Sequence, residues 1–164
     1  MFSLNAPIPG AVNRIADALA REAPPATVRP RDRRTLVVKR LGDPDEGARL
    51  AARAREAVAG QPPIAARVEG LVVFEDPPAG PAPVVALAIE SPGLIALHAT
   101  LCERFDTVEG IEGADYRPHV TVARGAGADR VRAASVEPHR WSIERLQFYD
   151  ARRHIPAGRI DLPA

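Results

Sequence analysis

The spacing of apolar residues changes period several times along this chain, and each change marks an element boundary. Phe2–Ala6, closed by Pro7 and Pro9, reads as a short strand. Val12, Ile15, Ala16 and Leu19 then fall at i, i+3, i+4 and i+7, one stripe of a helix that stops before Pro24-Pro25. A basic loop, Arg29 to Arg34, leads into a predicted strand over Thr35–Leu41, and Gly42-Asp43 opens a second helix over Asp45–Ala59 with acids in its first turn. Ile64–Phe74 reads as a long strand, Asp76–Pro83 as a Pro/Gly-rich turn, and Val84–Ile89 as a strand apolar enough to be covered on both faces. Ser91-Pro92-Gly93 is a helix start with serine as N-cap and proline at the first position, ahead of Leu94, Leu97, Leu101 and Phe105. The remainder predicts a strand over His119–Arg124, a short helix near Ala128–Ala134, and two last strands, Trp141–Phe148 and Gly158–Leu162. Apolar positions change phase within the first of these, which predicts a bulge near Glu144-Arg145.

The elements contain a repeat. Strand, Pro-Gly, amphipathic helix, loop and a basic-x-Thr strand occur twice, with Pro9-Gly10 matching Pro92-Gly93 and Arg33-Arg34-Thr35 matching His119-Val120-Thr121. A duplicated α+β unit of this kind predicts one domain over 1–164 with two interleaved lobes related by a pseudo-twofold axis. Two antiparallel sheets face a central groove and the helices cover the outer faces.

Composition narrows the setting. Lysine plus arginine number 22 against 21 acids, so no global polyanion-binding signature exists and any nucleic-acid contact must come from local patches. The single cysteine, Cys102, excludes an internal disulfide and fits a reducing compartment. MFSLNAPIPG has neither a basic n-region nor a long apolar core, and no run approaches the roughly 18 apolar residues of a membrane span. The expectation is a soluble cytoplasmic monomer with no membrane partner.

The chemistry concentrates in YRPHVTVAR, Tyr116 to Arg124. Residues two apart on a strand share a face, so His119 and Thr121 project together, and Thr35 offers a hydroxyl from the matching strand. One proton-transfer group with hydroxyl donors suits phosphate chemistry. Arg117 is in phase with His119, and Lys39 shares the side of Thr35, so both are candidate phosphate contacts. Arg29, Arg31, Arg33 and Arg34 place a basic cluster at the mouth of the groove. Of the other histidines, His98 lies on an apolar helix face and reads as a packing residue; His139 and His154 read as surface residues able to approach the groove.

RPHVTVAR, the SLNAPIPG opening, the TLVVKRLG strand and the closing QFYDARR and RIDLPA segments resemble the 2′-5′ RNA ligase-like family of two-histidine (2H) phosphoesterases. The resemblance implies two His-x-Thr/Ser motifs, one per lobe, acting without metal or other cofactor on 2′,3′-cyclic phosphate ends or 2′-5′ bonds of RNA. One neutral imidazole takes a proton from the attacking oxygen, a second protonated one gives a proton to the leaving oxygen, and the hydroxyls hold the phosphate. By position it makes His119 one acid/base group and Thr121 and Thr35 the phosphate holders. The other imidazole is missing: the strict register puts Arg33 in its place, and a one-residue shift puts Arg34 there. Guanidinium stays protonated and transfers no proton, though it binds phosphate bidentately. The expectation is therefore a weakened phosphoesterase, a rewired one, or a phosphate-binding module on the same fold.

Overall fold

The short strand Phe2–Ala6 lies inside a sheet. In the structure, a computed structural model describing residues 1–163, strand β1 (Phe2–Ala6) is buried along its whole length between β2 (Leu36–Gly42) and β7 (Arg145–Asp150), with β8 (Ile155–Asp161) outside β7. The second sheet runs in the order β5 (His119–Arg124), β4 (Val84–Glu90), β3 (Ile64–Phe74), β6 (His139–Ile143), and every pairing in both sheets is antiparallel. This is the α+β fold of two antiparallel sheets that the repeat predicts, each sheet having four strands.

Among the described residues three α-helices complete it: α1 (Gly10–Ala20), α2 (Gly47–Ala57) and α3 (Pro92–Cys102). Ser91 caps α3 as its position predicts, its Oγ accepting from Leu94 N at 3.2 Å while donating to Ala65 O of β3 at 2.7 Å. α1 buries Val12, Ala16 and Leu19, and α3 buries Leu94, Leu97, His98 and Leu101. The helices bridge the two sheets. α1, which precedes β2 in the chain, packs on β5 of the other sheet, and α3, which precedes β5, packs on both β2 and β3. One buried apolar cluster consequently runs through both sheets, with Leu4, Leu36, Leu87 and Leu146 fully enclosed. Each such leucine contributes on the order of 1.5–3 kcal/mol of burial.

Three expectations change. The shift of apolar phase at Glu144-Arg145 is not a bulge inside one strand: the chain leaves one sheet for the other there, Ile143 pairing with Ile64 of β3 and Arg145 with Asp161 of β8. Ile143 and Leu146 both point inward, but into different sheets. The last strand begins at Ile155, before Gly158. Residues Ala128–Val131 form a single 3-10 turn instead of a longer helix, entered through Gly127 at φ 90°. A Cβ on Gly127 would stand 2.7 Å from Pro24 Cγ, so both its backbone conformation and its neighbour demand glycine.

Candidate active site

β2 and β5 are the edge strands of their sheets, and they carry the same irregularity at the same place. In β2, Asn5 pairs with Val37 and Leu4 with Lys39, leaving Val38 as an extra residue; in β5, Ala86 pairs with Thr121 and Val85 with Ala123, leaving Val122. Each bulge puts two successive residues inside: Val38 and Lys39 in one strand, Val122 and Ala123 in the other, all fully buried. Superposing the bulges sets Thr35 on His119, Leu36 on Val120, Val37 on Thr121 and Arg40 on Arg124. The repeat therefore runs TLVVKR over HVTVAR. It is shifted by two residues from the register that matched Arg33 with His119.

That shift relocates the chemistry. One cavity of about 250 Å³ between the strands is lined by Thr35, Val37 and Arg40 from β2 and by His119, Thr121 and Arg124 from β5. Arg29, Arg117, Asp76 and Asp115 line it too. Arg29 arrives because the loop before β2 runs along the free edge of β5, with Val28 bridged to Ala123 and Arg29 N donating to Val122 O at 2.8 Å. Thr35 thus reaches the cavity at the position equivalent to the imidazole. The position equivalent to the Thr121 hydroxyl holds Val37, an apolar side chain.

His119 is set up as a neutral base. Its Nδ1 lies 2.7 Å from Arg117 O, an oxygen that can only accept, so Nδ1 carries the proton and Nε2 the lone pair. Phe74 tilts against the ring at 4.9 Å between centroids and limits its rotation. Burial lowers the imidazole pKa below its ordinary value, the charges of Arg40 and Arg124 lower it further, and the bond to Arg117 O only partly opposes them. No other histidine lines the cavity. His98 is buried behind the cavity wall, against Val38 O and the Tyr116 ring, His139 sits on β6, and His154 lies in the turn after β7.

Three residues expected at the phosphate stand elsewhere. Arg33 is exposed in a 3-10 turn and does not line the cavity. Arg34 is anchored under α1, donating to Asp17 Oδ1 at 2.6 Å and Asn13 O at 3.3 Å with its side chain 2% exposed. Neither arginine occupies the vacated imidazole position. Lys39 fails for a geometric reason: the bulge at Val38 reverses the faces of β2, turning Lys39 inward and Arg40 toward the cavity. Sequence reasoning missed Arg40 and Arg124, although the shared terminal arginine of TLVVKR and HVTVAR was the available signal. Tyr116 is part of the cavity wall, fixed by its hydroxyl donating to Val37 O at 2.9 Å and by stacking on His98 at 3.8 Å, which leaves no free face for a base on that side.

A buried ionic network holds that wall. Glu112 accepts from Lys39 Nζ at 2.6 Å, Arg40 N at 2.8 Å and Val108 N at 3.0 Å, and Lys39 also donates to Arg40 O and Asp106 O. Desolvation would raise the Glu112 pKa, but the bonds from Lys39, Arg40 and Val108 outweigh it and the carboxyl sits below its ordinary value. His98 stands beside it as a neutral clamp: Nδ1 donates to Val38 O at 2.7 Å and Nε2 accepts from Gly113 N at 2.9 Å. Protonating Nε2 would set two N–H groups against each other, and burial holds the pKa down despite the Val38 bond and the Glu112 charge. Because His98 and His119 are both depressed, the unfolded chain binds more protons below about pH 6.5. Their contribution is complete above that pH and is lost as the pH falls through it toward the folded values. Urea titrations at pH 7.5 and about pH 5.5 are expected to show lower stability in acid, with a shallower decline in His98→Gln.

Two antiparallel sheets bridged by the helices, meeting at a cavity between bulged edge strands, define a bilobal α+β fold. The sequence profile of the 2′-5′ RNA ligase superfamily matches residues 35–154, and the chain belongs to that superfamily. Its fold is that of E. coli LigT, whose complex with 3′-AMP is 20% identical over 99% of this chain and 98% of that one, with a TM-score of 0.63. TT0787 of Thermus thermophilus is 18% identical over 97% of this chain and 92% of that chain, at a TM-score of 0.64. A structure described as a phosphoesterase is 18% identical over 99% and 98%, at 0.58. No curated protein sequence matches the chain. Membership points to an enzyme of the phosphoesterase or RNA-ligase type. Among the described residues no helix is long and apolar enough to cross a membrane, and no group of three or more His, Cys, Asp or Glu is placed to hold a metal ion.

Proposed function

We propose that the protein is an RNA-directed phosphoesterase that opens 2′,3′-cyclic phosphate ends or cleaves 2′-5′ phosphodiester bonds, working with one imidazole in place of two. The observation that carries this reading is the convergence of His119, Thr121 and four arginines on one cavity. His119 Nε2 takes the proton of the attacking water as its oxygen bonds to phosphorus. The Thr121 hydroxyl and the guanidinium groups of Arg40, Arg117 and Arg124 hold the phosphate and neutralise the charge that grows on its oxygens. The departing ribose oxygen draws its proton from solvent. Hydrolysis is the simpler direction, since ligation needs two RNA ends in one small cavity. The occupant of E. coli LigT, 3′-AMP, carries a phosphate on the ribose of the kind proposed here as a product.

Arginines supply the positive charge, so the reaction proceeds in chelator. Incubating wild type and His119→Ala with adenosine 2′,3′-cyclic phosphate plus EDTA, and resolving 2′- from 3′-AMP, tests the reading. Slow turnover giving one isomer, absent from the variant, is expected. No turnover together with no binding of 2′- or 3′-AMP refutes it.

A further inference from the structure

A cavity with one base and no matching acid makes the leaving group decide what it cleaves. The position opposite His119 in the repeat is Thr35, whose hydroxyl is no acid at neutral pH, and the next cavity position on that strand is Val37. Asp76 and Asp115, the carboxylates on the lining, both lie outside the two bulged strands that set the position opposite His119. A ribose oxygen must therefore leave as a basic alkoxide or wait for solvent. A phosphate leaves without help, because a phosphomonoester has its second pKa near 6.

The charge of the lining points the same way. Arg29, Arg40, Arg117 and Arg124 face two carboxylates. Arg40 also lies 3.6 Å from the buried Glu112, and Arg124 donates to Ala79 O at 2.6 Å, so both heads are held in place before any ligand arrives. A phosphodiester carries one negative charge, whereas a pyrophosphate bridge spreads two over adjacent phosphates and uses a larger share of this array.

We propose that the His119 cavity also hydrolyses pyrophosphate-linked nucleotides, and does so faster than it cleaves ribose phosphodiesters. Water bonds to one phosphorus while His119 Nε2 accepts its proton. The bridging P–O bond breaks with its electron pair on the oxygen of the second phosphate, which leaves as an anion among the arginines. The products are two phosphomonoesters, and His119 returns its proton to solvent. This rests on the reading of His119 as the base of a phosphoesterase site.

The test compares kcat/KM for diadenosine 5′,5′-pyrophosphate and adenosine 2′,3′-cyclic phosphate in wild type, His119→Ala and Thr35→His. The pyrophosphate is expected to be the better substrate by at least about 100-fold, the scale on which an absent general acid is felt. His119→Ala loses both activities. Thr35→His, which sets an imidazole opposite His119, moves the ratio by more than about tenfold toward the cyclic phosphate. Should that variant not fold, a series of aryl esters of one nucleoside phosphate with the wild type takes its place, and a steep fall in rate with phenol pKa is expected. Equal rates on the two substrates, equal gains in Thr35→His, or a flat aryl series overturn the proposal. Turnover of the cyclic phosphate without the pyrophosphate removes this activity and leaves the phosphoesterase reading standing; turnover of neither, with no AMP binding, removes both.

Discussion

His119→Ala is expected to reduce turnover by about 10²–10⁴-fold while leaving nucleotide affinity within severalfold, because the arginines and Thr121 that hold phosphate remain. The pH profile of the wild type carries more information than the loss itself. Two imidazoles of opposite protonation give a bell, whereas one base gives a single rising limb. Here kcat/KM should climb through a midpoint below the ordinary histidine value and stay level above it. Burial holds the midpoint down first, then the charges of Arg40 and Arg124. Arg124→Met removes one of those charges, so its midpoint should move upward as its nucleotide affinity falls. A descending limb near neutrality in the wild type would reveal a second proton-transfer group and end the one-imidazole account.

The largest expected effect on stability lies away from the chemistry, at Glu112. Its side chain is 1% exposed and that of Lys39 is 0% exposed, so Glu112→Ala strands an ammonium among carbonyl oxygens and unpairs the N–H groups of Arg40 and Val108. Breaking such a pair from one side costs about 3–5 kcal/mol, far above the roughly 0–1 kcal/mol of the exposed pairs such as Arg152 with Asp43 and Asp45. Urea unfolding should show this, and calorimetry with 3′-AMP should show weakened binding, since Gly110, Ile111, Asp115 and Tyr116 form the wall that Glu112 ties to β2. Lys39→Met combined with Glu112→Leu is expected to recover most of the stability. A loss below about 1 kcal/mol in Glu112→Ala would mean that Lys39 deprotonates or finds water.

Much of the fold was legible because its signals are local. Proline pairs, the Ser91 cap and the two hydrophobic periods each act over a few residues, and the elements fell where those signals lie. The pairing of His119 with Thr121 on one face was equally local. What escaped was set by partners distant in the chain. A bulge is a mismatch between two strands, so neither Val38 nor Val122 announces it, yet it decides whether Lys39 or Arg40 meets the ligand. The exchange of sheets at Glu144 looked like a bulge for the same reason: one strand's apolar phase does not say which sheet receives it. Arg33 and Arg34 were drawn to the site by adjacency to Thr35, whereas Asp17, seventeen residues before Arg34, claims that guanidinium.

The placement of β1 bears on how the protein is made. The strand that begins the chain is flanked on one side by β7, with Phe2 opposite Asp150 and Asn5 opposite Gln147, and Phe2 stacks on Phe148 at 5.7 Å. A ribosome delivers β1, α1 and β2 well before β7, so the sheet that supports Thr35 and Arg40 stays half open until residues near 150 emerge. Closing that gap is a slow, non-local step. During it, the apolar edge of β1 is exposed to other nascent chains. A cavity whose base lies on a later strand is thus matured by one later still, and loss of the last two strands would abolish it without removing a single residue that lines it.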